Sequence, residues 1–278
     1  MKMISRRSFL AAAGLSVAAL ALTACGGSSS SVASSVASSA SSEAASTSAA
    51  AGELTTVMAG KLTMATNATF PPYEMTTDTG AFEGIDVDTA QAIAEKLGLE
   101  LQIDDMDFDA ALLSVQQGKA DIVMAGVTVT DERKAVMDFS DSYATGIQSI
   151  IVPEGSDIAT PDDLAGKKIG TQRGTTGYIY CSDDFGDENV VAYDDGLTAV
   201  QALNNGQVDA VVIDNAPAKE FIAANPGLVI LDTSYAEEDY AIGMAKGSAL
   251  EDAINAVLEE LKADGTLQSI VDKYITAE

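Results

Sequence analysis

Two segments of the chain share one order of features, and this repeat constrains the fold most strongly. Residues 114–126 read SVQQGKADIVMAG, and residues 202–214 read ALNNGQVDAVVID. Each segment contains a helix end, a glycine, two further residues, an aspartate and then an apolar strand-like run. The repeat favours two bodies of one architecture, with equivalent strand ends on opposite walls of a cleft.

Predicted strands and helices alternate around both copies of the repeat. In the first half, strands are predicted at 61–66, 100–105 and 120–127, and helices at 84–99 and 108–118. In the second half, strands are predicted at 167–172, 189–194 and 208–214, with helices beginning within 173–181 and covering 195–206. The segment 250–275 is typical of one or two amphipathic helices, broken near Gly265. This alternation predicts an α/β fold with mostly parallel strands.

Acidic residues greatly outnumber basic ones. The 278 residues include 42 Asp and Glu against 15 Lys and Arg, a net charge of −27. Such a chain is repelled by nucleic acid and anionic lipid, and its charge chiefly favours solubility. The sequence has no histidine, which excludes Ser-His-Asp and Cys-His triads and zinc sites that use histidine. Of the two cysteines, Cys181 is expected to be a lone, partly buried apolar residue.

The N-terminus predicts an export signal. A basic start precedes an apolar stretch from Phe9 to Leu22, which is short and lacks a stop-transfer flank. LTAC at 22–25 resembles the bacterial lipobox, in which Cys25 would receive a diacylglyceryl group and become the mature N-terminus. SRRSFL at 5–10 also resembles a twin-arginine motif, so two export routes stay open.

This N-terminal pattern sets the expected location. Residues 1–24 are predicted to be a signal peptide, and residues 25–57 a lipidated linker rich in serine and alanine. The linker has little apolar surface to bury and is expected to be flexible. The protein is therefore expected to be exported, at the cell surface or in the periplasm, and anchored by lipid to the outer face of the cell membrane.

Five motifs, in this order, carry a resemblance to a known family. They are KLTMATNATFPPYE (61–74), GIDVDTAQAIAEKLG (84–98), GKADIVMAGVTVTDERKAVMDFSDSY (118–143), DLAGKKIGTQRGTTG (163–177) and VDAVVIDNAP (208–217). The chain resembles the family 3 extracellular solute-binding proteins, the polar amino-acid receptors of bacterial ABC importers, over nearly all of residues 58–278.

The resemblance implies a type II periplasmic-binding-protein-like fold with two α/β lobes. Lobe 1 would comprise 58–143 plus 239–278, and lobe 2 would comprise 148–234. Two crossing strands, near 143–147 and 234–240, would form the hinge. The partner implied is a membrane permease, the receptor is expected to be a monomer, and no cofactor or metal is expected.

The resemblance also implies the site. Arg133 would grip the carboxylate of an amino acid through two parallel hydrogen bonds. Thr128 would offer its N–H and hydroxyl, Gly126 would allow close approach, and Thr176 would offer its N–H at a helix N-terminus. Asp214 would bind the ammonium. Structural alternatives are a surface ion pair of Arg133 with a neighbouring acid and a helix cap at Asp214.

Around the ligand side chain, further positions match the family. Asn67 stands where several relatives have an aspartate. A neutral amide there favours a neutral or polar ligand over lysine or arginine. The nearby Glu74 and the overall acidity of the chain weaken this preference. Phe70 and Phe108 match ligand-stacking aromatic rings or pack in the core. The remaining matched positions are Ala125, Thr175 and Gln172. Arg173, beside them, could reach the ligand, but a position in a solvated loop is favoured.

Two alternative functions stay open. Some family 3 relatives act as periplasmic dehydratases on cyclic prephenate-like acids, which here would need Glu74 or Asp214 as the acid or base. A ligand-sensing module is the other, although no signalling domain is fused. Segment 104–116 lacks the EF-hand glycine and closing glutamate, and GTQRGTTG lacks the lysine of a Walker A loop. The sequence favours a receptor that carries out no catalysis.

Overall fold

The computed structural model describes residues 54–275, in which strands and helices alternate as the sequence predicts. The strands, in chain order, are β1 (Lys61–Thr66), β2 (Thr69–Phe70), β3 (Glu74–Thr76), β4 (Phe82–Glu83), β5 (Glu100–Asp105), β6 (Ile122–Val123), β7 (Met137–Phe139), β8 (Ala144–Pro153), β9 (Ile169–Gln172), β10 (Val190–Tyr193), β11 (Ala210–Asp214), β12 (Leu228–Ile230), β13 (Ala236–Tyr240) and β14 (Gly243–Ala245).

The α-helices lie between these strands and after them. In chain order they are α1 (Ile85–Leu97), α2 (Phe108–Gln116), α3 (Asp131–Lys134), α4 (Thr176–Phe185), α5 (Gly196–Asn204), α6 (Asn215–Ala224), α7 (Glu251–Ala263) and α8 (Thr266–Tyr274). Short 3₁₀ turns cover Pro161–Leu164 and Asp187–Asn189. The predicted break between two C-terminal helices is confirmed at Gly265, whose φ is 81°. None of the helices in residues 54–275 is long and apolar enough to cross a membrane.

Two mixed sheets carry the fold. The first has the strand order β5-β1-β6-β14-β7, and the second has the order β10-β9-β11-β8-β12, with β13 also paired to β8. The predicted strand–helix–strand units supply the parallel pairs, and the other pairs in these sheets are antiparallel. The prediction of mostly parallel strands is therefore right for those units and wrong for each sheet as a whole. Strands β2, β3 and β4 form a small antiparallel sheet.

The sequence repeat corresponds to a structural repeat. Its copies end in β6 and in β11, which are each third in their sheets, beside a parallel strand and an antiparallel one. The carboxyl ends of β6 and β11 therefore hold equivalent positions in the two sheets. This equivalence determines where the candidate site residues lie.

The two segments predicted as crossing strands pair with each other. Residues 144–148 of β8 run antiparallel to residues 236–240 of β13. Gly146 is needed here, because a Cβ at this position would collide with the Tyr240 ring. The ring of Tyr240 is fully buried, so it fixes the side of β13 that faces inward. The division into two lobes at this strand pair stays a prediction.

The interior is apolar on both sides of each sheet. Leu62 and Met64 of β1 are fully buried together with Ile93 of α1 and Ile254 of α7. In the second sheet, apolar side chains of β8, β9 and β11 surround Cys181, whose thiol-bearing side chain is fully buried. Cys181 is therefore a core residue, as the sequence predicts.

The described chain is anchored to the first sheet at its N-terminal end. The N–H of Val57 donates to the Asp121 carboxylate at 2.7 Å, and Leu54 packs against the apolar core. The predicted linker, 25–57, therefore overlaps the folded body at 54–57. The predicted signal peptide, the lipidated Cys25 and the rest of the linker lie outside the described residues.

Candidate ligand-binding site

One cavity lies between the carboxyl ends of β6 and β11. Its empty volume is about 300 Å³. All eleven ligand-binding positions predicted from the sequence line it, together with Glu74; they are Asn67, Phe70, Phe108, Ala125, Gly126, Thr128, Arg133, Gln172, Thr175, Thr176 and Asp214. The structure therefore brings the predicted residues together, while their contact with a ligand stays a prediction.

Gly126 shapes the wall that follows β6. Its φ of 54° lies in the left-handed region, and an added Cβ would be 2.9 Å from the Phe70 ring. Its N–H donates to the Asp86 carboxylate at 3.0 Å. This bond holds the turn in place, so that the chain can pass along the cavity wall towards Thr128.

Arg133 is buried in this wall and is not a surface residue. It lies in the short helix α3, where the side chain of Thr130 accepts a hydrogen bond from the Arg133 N–H. The guanidinium donates to the Thr128 carbonyl through Nη1 at 2.8 Å and to the Gly174 carbonyl through Nη2 at 3.1 Å. It also lies 5.4 Å from the centre of the Phe108 ring, within cation–π range.

These contacts overturn the alternative role considered for Arg133, a surface pair with Asp131 or Glu132. Only 8% of Arg133 is exposed, and both neighbouring acids are exposed. Burial lowers the pKa of Arg133, while the nearby Glu238 carboxylate opposes this shift. A guanidinium has five N–H donors, so Arg133 has donors left after its two carbonyl bonds.

The opposite wall begins at the N-terminus of α4. Thr175 is the N-cap, and its hydroxyl accepts a hydrogen bond from the N–H of Tyr178 at 3.3 Å. Thr176 is the first helical residue, as predicted, and its side chain is buried. Within residues 54–275, the backbone N–H groups of Thr128 and Thr176 donate no hydrogen bond to another protein group. Both remain available as donors to an anion.

Asp214 ends β11 and supplies a carboxyl group to the cavity. It stands at the N-cap position of α6, but its side chain makes no cap hydrogen bond. The carboxyl instead accepts a hydrogen bond from the Tyr240 hydroxyl. Burial raises the pKa of Asp214 to about 7; the Tyr240 bond lowers it, and the charge of Glu238 raises it. The alternative role as a capping side chain is therefore wrong.

Two amides meet across the cavity. Gln172 donates from Nε2 to Oδ1 of Asn67 at 2.8 Å, which joins the end of β9 to the segment after β1. Asn67 in turn donates to the Met106 carbonyl at 3.0 Å. Phe70 and Phe108 belong to apolar core clusters and also line the cavity, so the two interpretations of these rings are compatible.

A second arginine near the cavity has a different role. Arg173 is exposed, and its side chain lies 3.5 Å from the Asp194 carboxylate in an ion pair at the surface. The expected solvated loop position is therefore confirmed. Arg133 and Arg173 thus differ in burial, although both lie near the cavity.

Glu238 is the main residue near the cavity that the sequence analysis did not identify. It lies on β13, and its carboxylate accepts hydrogen bonds from the hydroxyls of Thr128 and Thr176. The segment AEEDY gave a usable signal, because alternation along a strand places Glu238 on the same face as Tyr240. Behind Glu74, the buried carboxyl of Asp86 has its pKa raised to about 6 by burial, an effect opposed by the Gly126 N–H.

The fold has two mixed β-sheets with helices packed on them, connected by the antiparallel strands β8 and β13. A cavity with charged side chains lies at the strand ends. These features define a type II periplasmic binding protein. The characteristic sequence pattern of the bacterial extracellular solute-binding proteins, family 3, matches residues 62–277. The chain belongs to this family, which confirms the resemblance drawn from the five motifs.

Relatives and solved structures agree with this membership. The chain is 33% identical over 224 residues to the L-cystine-binding protein TcyJ of Escherichia coli strain K12, covering 79% of this chain and 84% of TcyJ. It is 42% identical to an ancestral arginine-binding protein bound to glutamine, with a TM-score of 0.75 over 79% of this chain and 100% of that one. The arginine-bound form is also 42% identical, with a TM-score of 0.74 over 78% and 98%.

Proposed function

We propose that this protein is an extracellular receptor that captures a polar α-amino acid for an ABC importer. One observation carries the proposal. A buried guanidinium lies in one wall of the cavity, and a buried carboxyl lies in the other. An α-amino acid carries the two complementary charges on adjacent atoms, so a site of this kind suits its common end, whatever its side chain.

The carboxylate of the amino acid would bind Arg133 together with the N–H groups of Thr128 and Thr176. Bonds between an ionised donor and an ionised acceptor are roughly twice as strong as neutral ones. The ammonium would bind Asp214. Burial disfavours the charged form of this carboxyl, and a bound ammonium would favour it again.

The side chain of the amino acid would extend towards Phe70, Phe108, Asn67 and Gln172. Rings on two sides offer apolar contact, and the paired amides present neutral polar atoms. Asn67 supplies no charge at this point, which supports a neutral polar ligand such as glutamine. Arginine is the main competitor, because ancestral arginine-binding proteins have been solved with arginine bound and with glutamine bound.

The protein would deliver its ligand to a membrane permease formed by another chain, and it would act as a monomer. Closure of two lobes about the strand pair of β8 and β13 would enclose the ligand.

Lipidation at Cys25 would keep the receptor at the outer face of the cell membrane. If so, Cys25→Ser releases the protein from membranes, and continued anchoring contradicts the lipid.

Binding requires no covalent chemistry from the cavity. We therefore propose that the protein is not an enzyme. Arg133, Asp214 and the backbone donors suit recognition, and TcyJ is named for binding. No observation in the described residues favours the dehydratase or the sensing module.

A thermal-shift screen tests the proposal. The purified protein is heated with each of the twenty amino acids, cystine, ornithine and citrulline. A ligand at about 100 times its Kd stabilises the folded state by about 2.7 kcal/mol, or roughly 5–10 °C for a protein of this size. We expect such a shift with at least one polar amino acid. No shift with any compound, or turnover of a prephenate-like acid, would contradict the proposed function.

A further inference from the structure

The buried carboxylate of Glu238 joins three parts of the molecule beneath the cavity. Its Oε2 accepts from the hydroxyl of Thr128 at 3.1 Å, from the hydroxyl of Thr176 at 2.8 Å and from Nε2 of Gln148 at 3.1 Å. Its Oε1 accepts from the hydroxyl of Tyr180 at 2.7 Å. Only 8% of Glu238 is exposed. Four donors thus converge on one side chain of the crossing strand β13.

These bonds determine where the threonine protons lie. A hydroxyl has one proton to donate and two lone pairs, whereas an ionised carboxylate only accepts. Because Thr128 and Thr176 both donate to Glu238, neither hydroxyl has a proton left for a ligand. Nε2 of Gln148 also lies 3.4 Å from the Thr176 hydroxyl oxygen, which leaves that oxygen one further lone pair.

The same two threonines line the cavity, and Glu238 does not. Each threonine therefore presents two different groups there: an unbonded backbone N–H that donates, and a hydroxyl oxygen that accepts. The N–H suits a carboxylate, and the oxygen suits an ammonium. The hydroxyl of Thr128 is thus unsuited to the carboxylate role that the sequence analysis gave it.

We propose that Glu238 is a positioning residue that turns the hydroxyl protons of Thr128 and Thr176 away from the cavity. In this way it makes the site select ligands that carry an α-ammonium over the same acids without one. The proposal rests on the proposed function, because it assumes that the cavity holds the common end of an amino acid. Glu238 acts through the threonines and touches no ligand itself.

The test compares each amino acid with its counterpart that lacks the α-amine. For arginine the counterpart is guanidinovalerate, and for glutamine it is glutaramate. The tighter-binding amino acid of the thermal-shift screen supplies the pair, and titration calorimetry gives both Kd values. The quantity of interest is the Kd of the deaminated acid divided by the Kd of the amino acid.

Glu238→Gln keeps the shape of the side chain and replaces the carboxylate by a neutral amide, whose oxygen is a weaker acceptor for the two threonine protons and so lets one of them turn towards the cavity. We expect the Kd ratio to fall about tenfold, mostly through tighter binding of the deaminated acid. The matched control is Glu237→Gln, the same change at the exposed neighbouring position of β13. The control is expected to leave the ratio unchanged.

A second variant distinguishes an effect of Glu238 through the threonine hydroxyls from a direct electrostatic effect of its charge. In a Thr176→Val background, one of the two hydroxyls is gone, so Glu238→Gln should change the ratio by only about threefold. Equal effects in both backgrounds would mean that Glu238 acts by charge alone and would overturn the proposal. So would a Glu238→Gln variant that weakens both ligands by the same factor, which indicates a purely structural role.

The outcomes also distinguish this proposal from the proposed function. If the unsubstituted protein binds no amino acid in the screen, the proposed function is wrong, and the role of Glu238 is wrong with it. If the unsubstituted protein binds an amino acid and Glu238→Gln leaves the ratio unchanged, only the role of Glu238 is wrong.

Discussion

The ends of β6 and β11 hold equivalent places in the two sheets, yet they present opposite charges to the cavity. After β6, Gly126 allows a left-handed turn, and the chain continues to Arg133 in α3. After β11, no such turn exists, because Asp214 ends the strand and α6 begins at the next residue. The residue at each strand end therefore decides whether the wall carries a cation or a carboxyl.

This difference shows how a repeated unit can make a site for an asymmetric ligand. The same strand–helix–strand topology places the two strand ends at equivalent positions in their sheets, and local sequence sets the chemistry of each. Tyr240 links the two ends. Its backbone forms an isolated β-bridge with Thr128, and its hydroxyl donates a hydrogen bond to the Asp214 carboxyl. Four predictions test the comparison between the Gly126–Arg133 end and the Asp214 end.

Loss of Arg133 is expected to have the largest effect. Arg133→Ala removes the buried cation, so binding of the amino acid found in the screen should weaken by at least about 100-fold, as measured by titration calorimetry. The matched control is Arg173→Ala, which removes an exposed arginine of the opposite loop and should leave Kd within about twofold. Equal effects of both substitutions would show that general charge, not the end of β6, holds the carboxylate.

Loss of the Asp214 charge is expected to be the next largest effect. Asp214→Asn should weaken amino-acid binding by roughly 10–100-fold, because a charge-assisted bond to the ammonium becomes a neutral one. Binding of the deaminated acid should change far less. Asp232→Asn, at an exposed position, serves as the control. If Asp214→Asn weakened the binding of both ligands equally, Asp214 at the end of β11 would not be the residue that binds the ammonium.

The pH dependence should differ between the two ends, because the Arg133 guanidinium stays protonated whereas the Asp214 carboxyl titrates near neutrality. Its pKa is raised to about 7, and a bound ammonium favours the ionised form. Binding should therefore release a proton near pH 6, and affinity should rise about tenfold between about pH 6 and about pH 8. Calorimetry in two buffers of different ionisation enthalpy measures the released proton. Zero proton release, or an unchanged pH profile in Asp214→Asn, would contradict this.

The same group affects folding stability. A carboxyl whose folded pKa lies above its unfolded value of 3.8 binds more protons in the folded state between about pH 4 and pH 7. Its contribution to the stability of the ligand-free protein is therefore largest at low pH and is lost as pH rises through about 7. The burial of Asp86 acts in the same direction, with a pKa of about 6.

The smallest effect concerns the turn itself. Gly126→Ala should lower the free energy of unfolding by about 2–3 kcal/mol, because it combines a left-handed φ with a clash against Phe70. The control is Gly206→Ala, whose φ is 67° but whose Cβ would meet open space, so only about 1 kcal/mol is expected. Urea denaturation measures both values. Equal losses would show that Phe70 moves aside and does not hold the Gly126 turn.

The sequence predicted the α/β class and every cavity residue except Glu74, which it had considered as a weak influence on ligand charge and as a possible acid or base of the dehydratase alternative. The reason is physical: buried parallel strands and long helices have clear periodicity, and their ends fall where ligands bind. Strands β7 and β14 have three residues each, too few for a periodic pattern, so their antiparallel pairing was missed.

Glu238 was missed for a different reason. Its immediate neighbours in sequence are Glu237 and Asp239, and a run of three acids in a chain of net charge −27 resembles ordinary surface. Burial of the middle acid depends on donors from Thr128, Thr176 and Tyr180, which lie far away in the sequence. Alternation along β13 places Glu238 on the buried face with Tyr240, but the local sequence does not show which donors surround it there.

The strand order also has a consequence for how the chain is assembled. The second sheet is formed by one continuous stretch, residues 144–240, so all its strands are present as soon as residue 240 has been synthesised. The first sheet needs β14 to join β7 to β6, and Lys273 of α8 pairs with Asp88 of α1 at 2.7 Å. Contacts between residues so distant in sequence form slowly. During synthesis, the sheet whose first strand is made earliest is therefore completed last, when β14 joins β6 and β7.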